Sequence, residues 1–118
     1  MNQVMVVISI DTLFDAAVRI QIQEQAITIT FVQDGFRIKF PTTRRLAEYL
    51  EVPHYYVLPY FAMMEQEELV TRAERVGILT TGKGSRMMIG LMKTRYREET
   101  EKILGAAVFR ELMKKFPD

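Results

Sequence analysis

Between Gly77 and Ser85 the chain reads GILTTGKGS, two glycines separated by four residues and followed by Lys83. That spacing suits a loop whose backbone N–H groups cradle phosphates, with the lysine on the outer phosphates and a following Ser or Thr hydroxyl on Mg²⁺. The hydroxyl position is here Gly84, Ser85 comes one residue late, and no parallel strand and crossover pattern surrounds it, so nucleotide binding is not expected. Gly82 and Gly84 are expected to shape a strand-to-helix connection, leaving Lys83 available for an anion. Carboxylates cluster at Glu65, Glu67 and Glu68 and at Glu98, Glu99 and Glu101, in polar helical stretches where solvated faces and i,i+4 pairs are the usual reason. Glu98 with Lys102 and Glu111 with Lys115 have the favourable order. His54 is the single histidine, so it builds neither a multi-histidine metal site nor, without a nucleophile beside it, a catalytic triad. With no cysteine, thiolate ligands and disulfides are excluded. No enzyme, cofactor or metal site is expected.

The elements around these residues are legible from apolar spacing. Gln3 to Ile10 is rich in β-branched residues and suggests a strand. Asp11 follows as a helix cap, with Leu13, Phe14, Ala17, Val18 and Ile22 along one side. Ile27, Ile29 and Phe31 then alternate with threonines, and Phe36, Ile38 and Phe40 with Arg37 and Lys39, around Gln33-Asp34-Gly35. This is a β-hairpin with an Asp-Gly turn. Pro41 stops the strand; Thr42 or Thr43 caps a helix carrying Leu46, Ala47 and Leu50 inward; Glu51-Val52 turns the chain; and Pro53 opens a second helix to about Glu68. Pro59 falls inside it and predicts a kink, or a true start near Leu58. Leu69–Glu74 and Gly77–Thr80 predict two short strands around Arg75-Val76. From Ser85 to Phe116 the apolar spacing predicts one long helix or two, with a break at Gly105.

A small residue at Ala47 between Leu46 and Leu50, Val52 after the turn, and Val57 and Phe61 on the core side of the next helix resemble a helix-turn-helix, although Glu51 stands where glycine is common. The ELVTRAERVGILTTGKG segment is similar to the hairpin wing and following helix of winged-helix regulators of the MarR, PadR and ArsR type. The resemblance covers roughly residues 40–92 and implies an α+β fold: a winged helix-turn-helix over 41–84, an N-terminal strand, helix and hairpin over 1–40, and a helical segment over 85–118, in one compact domain. It further implies a homodimer on double-stranded DNA. Phosphate contacts would fall to Arg37, Lys39, Arg44, Arg45, Arg72, Arg75, Lys83 and Arg86, and base edges to His54, Tyr55 and Tyr56. Leu91, Tyr96, Ile103, Leu104, Val108 and Leu112 would form the dimer contact.

Charge cuts against a simple version of this. Sixteen Lys and Arg against fifteen Asp and Glu leave the chain near neutral, and no Lys or Arg occurs between Leu46 and Thr71, where the recognition helix lies. The basic excess is in residues 36–95, with ten basic and six acidic side chains. A tyrosine-rich face formed by Tyr49, Tyr55, Tyr56 and Tyr60, with the acidic end Glu65-Gln66-Glu67-Glu68, also suits protein contact, so a winged-helix interaction module is the alternative. No apolar run approaches the ~18–20 residues that cross a bilayer, and with no secretory segment a cytoplasmic location is expected.

Overall fold

In the computed structural model, which describes residues 7–116, Ser9 opens the first helix, α1 (Ile10–Glu24), through a capping box. The Ser9 hydroxyl accepts from the Thr12 amide at 3.1 Å, and the Thr12 hydroxyl accepts from the Ser9 amide at 2.7 Å. Asp11, expected as the cap, sits in the first turn instead. The strand expected over Gln3–Ile10 lies partly outside the described residues; Val7 to Ser9 are irregular and Ile10 is already helical. α1 buries Leu13, Phe14, Ala16, Ala17, Val18, Ile20 and Gln21, wider than one stripe, because other elements pack against it from several sides.

β1 (Ile29–Val32) and β2 (Gly35–Phe40) pair antiparallel, with Ile29 opposite Ile38 and Phe31 opposite Phe36. The turn residues are Gln33 and Asp34, not Asp-Gly: Gly35 is already in the ladder opposite Val32. Phe36, Ile38 and Phe40 are buried as their alternation requires, but Phe31 is 67% exposed because β1 is the outermost strand.

Thr42 caps α2 (Thr43–Leu50), accepting from the Arg45 amide at 3.1 Å. Leu46 and Ala47 enter the core; Glu51 then turns the chain in the left-handed conformation, with φ of 57°. α3 (His54–Gln66) starts behind Pro53 and continues through Pro59. Pro59 and Tyr55 are both exposed, so solvent can serve the Tyr55 carbonyl that the proline leaves without a donor.

β3 (Val70–Ala73) and β4 (Gly77–Thr80) form a second hairpin, and Arg75 at its turn is left-handed, with φ of 68°. β4 also pairs with β2, giving one antiparallel sheet in the order β1-β2-β4-β3. The β2–β4 ladder covers only Lys39–Leu79 and Phe40–Ile78. Beyond it a chain of buried hydroxyls takes over: the Ile38 amide donates to Thr80 Oγ1 at 2.8 Å, Thr80 and Ser85 share a bond at 2.7 Å, and Ser85 donates to the Phe36 carbonyl at 2.9 Å.

The C-terminal segment divides into three helices: α4 (Gly82–Arg95) behind the cap Thr81, α5 (Arg97–Leu104) and α6 (Ala106–Lys114). Gly105 makes the expected break with φ of 88°, and Tyr96 makes another. α6 folds back so that Phe109 and Leu112 are buried, and Phe116 packs on Phe36 at 5.3 Å between ring centroids. One buried cluster therefore draws on residues from Leu13 to Leu112, within an α+β fold that has six helices and a four-stranded sheet among the described residues. The pairs read from spacing, Glu98–Lys102 and Glu111–Lys115, give way to Arg97–Glu101 at 3.3 Å and Glu111–Lys114 at 3.2 Å. No helix among the described residues is long and apolar enough to cross a membrane.

Candidate nucleic-acid interface

His54 and Thr43 are the first residues of α3 and α2, and their side chains share a hydrogen bond of 2.7 Å between Nε2 and Oγ1. The bond sets the N-terminal ends of the two helices side by side. Arg44 and Arg45 are carried on one end, Tyr55 and Tyr56 on the other. The tyrosine rings stack edge to face at 4.8 Å and are 65% and 50% exposed. α3 has no side-chain cap; its Tyr56 amide turns back to the Pro53 carbonyl at 3.0 Å, the amides ahead of it receive no capping side chain, and aligned peptide dipoles make both ends partially positive. His54, expected to read bases, is partly buried and engaged in this tie.

The candidate cations differ in how much of their charge is free. Arg45 is held by Glu24 at 3.2 Å and by Glu48 at 3.8 Å. Arg72 pairs with Glu65 at 3.2 Å while its guanidinium lies 4.9 Å from the centre of the Phe61 ring. Lys39, Arg44 and Arg75 are exposed and make no ion pair among the described residues. Lys83 donates to the Glu67 carbonyl at 3.1 Å, at the far end of α3, roughly 20 Å of helix from His54. Arg37 reaches the start of α4 near Gly82, and Arg86 lies 5.2 Å from the centre of the Phe116 ring. Ten of the eleven candidates thus form one cluster at the paired helix ends, a pair on the β3–β4 hairpin and a group around the start of α4, with Lys39 apart on β2, rather than a continuous rim.

Gly77–Ser85 is not an open loop: Gly77–Thr80 is strand, Thr81 is a cap and the helix begins at Gly82. Among the described residues no three His, Asp or Glu side chains gather in a metal-sized group. Of the residues expected in a dimer contact, Leu112 is spent in the chain's own core; Leu91, Tyr96 and Leu104 are partly buried against it; Ile103 and Val108 remain outside it.

Tyr96 is better understood as an internal tie. Its hydroxyl donates to Asp15 at 2.7 Å and accepts from Arg19 at 2.7 Å, joining the α4–α5 junction to α1, while Arg95 reaches the same carboxylate at 3.3 Å. Burial, and then the bond to Asp15, raises the phenol above its ordinary pKa. Folding therefore favours the protonated phenol: this contribution is complete below the ordinary value of ~10 and is lost as pH rises through the higher folded value. Urea unfolding across alkaline pH should show stability falling beyond about pH 10, and Tyr96→Phe should flatten that fall while removing about 1 kcal/mol at neutral pH. An unchanged alkaline profile in the variant would exclude this role.

Spacing offered Thr43 only as an alternative cap and missed its bond to His54, as it missed the exposure of Leu58 and Met63 on α3. Gln21 was missed too, although its place after Phe14, Ala17 and Val18 at i+7, i+4 and i+3, an inward position filled by an amide, was a signal that could have found it. Comparison with family models, with curated proteins and with solved structures returned no match for this chain.

Proposed function

We propose that the chain is a winged helix-turn-helix protein acting as a homodimeric, DNA-binding transcriptional regulator. The order α1, β2, α2, α3, β3, β4, with β2 beside β4, supports that outline, in which α3 is the recognition helix and β3–β4 the wing. The observation that carries the DNA reading is the Thr43–His54 bond, which gathers two positive helix ends, Arg44, Arg45 and two exposed tyrosines at one site suited to a phosphate and the adjoining base edges. The dimer contact in this reading uses Ile103 and Val108, which stand clear of the core.

Fluorescence anisotropy with duplex DNA across a salt series tests the proposal. Affinity should fall steeply with salt, and Arg44→Ala and Arg75→Ala should each reduce the log–log slope by about 1, roughly one phosphate contact apiece. Arg72→Ala should change it less, because Glu65 already neutralises that guanidinium. Binding that ignores salt, or none in dilute buffer, would sink the reading.

One observation favours a second reading, a winged-helix module that contacts protein. Tyr55, Tyr56, Leu58 and Met63 are each more than 40% exposed on α3, which carries no Lys or Arg. An absence of DNA binding, with that face protected from hydrogen exchange by a protein partner, would favour it.

A further inference from the structure

The last registered pair between β1 and β2 is Ile29–Ile38; the Lys39 amide still donates to the Thr28 carbonyl at 2.9 Å, and before Thr28 the chain diverges from the end of β2. The opening is a cleft of about 370 Å³ bounded by the end of α1, the segment from Ala26 to Thr28, the end of β2 and the start of α2. Ile20, Phe40 and Pro41 give it an apolar wall, and Lys39 and Arg45 bring positive charge, with Glu24 paired to Arg45. Gln21, also in the lining, is 6% exposed; its Nε2 donates to the Lys39 carbonyl at 2.8 Å, which satisfies a group the diverging strand leaves open. Its Oε1 is the one buried side-chain polar atom among the described residues with no hydrogen-bond partner.

A buried amide oxygen without a donor is a standing cost that an incoming donor removes. The geometry points to this cleft as a binding site for a small carboxylate with a hydrogen-bond donor on the adjacent carbon, an α-amino or α-hydroxy acid with an aliphatic side chain. The carboxylate is held by Lys39 beside the Thr42-capped start of α2, the aliphatic group lies against Ile20, Phe40 and Pro41, and the Gln21 amide, whose Oε1 is closed to solvent, turns so that Oε1 accepts from the ligand's amine or hydroxyl. Such an occupant would brace α2 against α1. The inference does not depend on DNA binding.

Isothermal titration calorimetry with three compounds of one carbon skeleton tests it: L-leucine, 2-hydroxy-4-methylpentanoate, and 4-methylpentanoate, which lacks the donor. The first two should bind at least about tenfold more tightly than the third, the worth of one hydrogen bond. Gln21→Met should erase that difference, and Ala26→Phe, at an exposed lining position, should block all three without touching the core. If Gln21→Met fails to fold, the ligand series on the parent chain and Ala26→Phe decide. Equal binding of the three compounds, binding that survives Ala26→Phe, or no binding at millimolar concentration would overturn the inference, the last leaving only an ordered water at Gln21.

Discussion

Replacing Gly84 with alanine is expected to lower the melting temperature by about 10 °C or more, through a loss of at least about 3 kcal/mol. A Cβ at this position would stand 1.9 Å from the Leu69 carbonyl oxygen, 2.9 Å from its carbon and 3.2 Å from the Thr80 Cβ. The obstacle cannot rotate away, since it is backbone, and the same oxygen accepts from the Thr81 amide at 3.0 Å. Relief requires α4 to withdraw from the corner where α3 passes into β3, which disturbs the Thr80–Ser85 hydroxyl chain beside it. Gly90, in the same helix with nothing within 4 Å of its would-be Cβ, is the control: Gly90→Ala should stabilise by about 0.5–1 kcal/mol through backbone entropy. Thermal melts of the two variants that moved together would refute the close approach.

Phe109→Ala should cost about 3–5 kcal/mol, a large part of the ~5–15 kcal/mol that holds a small domain together. Its neighbour Val108, 47% exposed, should tolerate alanine within about 0.5 kcal/mol in dilute protein. The contrast measures whether α6 belongs to the core or is an appended association element, because a detached helix would make the two substitutions alike. Urea unfolding at several protein concentrations adds the dimer: if Val108 lies in a contact between copies, its effect grows with concentration while that of Phe109 does not.

The parts of the fold governed by local chemistry were visible in the chain. Leu46, Ala47 and Leu50 mark α2, and the turn at Glu51 was evident even with glutamate in the left-handed position, since apolar spacing resumes at Val57. The alternation of Phe36, Ile38 and Phe40 marks β2 without ambiguity. What spacing could not show depends on partners distant in sequence. Tyr96 breaks the helix where its hydroxyl meets Asp15, and Phe31 is apolar in pattern yet exposed because no strand follows on its outer side. In the candidate interface the residue types were legible but their availability was not. Arg72 and Arg75 look alike in the sequence, and only the fold turns the first onto Glu65 and Phe61. The cap of α1 moved from Asp11 to Ser9 because Thr12 could reciprocate with serine, a competition between two good caps that composition does not resolve.

The contacts that close the molecule span most of its length: Asp15 meets Arg95 and Tyr96, and Phe36 meets Phe116. Part of the cover of α1 comes from near in sequence, since α2 and α3 pack on it and Phe14 meets the Phe40 ring at 5.0 Å, whereas the contacts of Asp15 are made about eighty residues on. Contacts of that separation carry the largest loop-closure cost, so the tie from Asp15 to Tyr96 is expected to close later in folding than the pairing of α2 with α3.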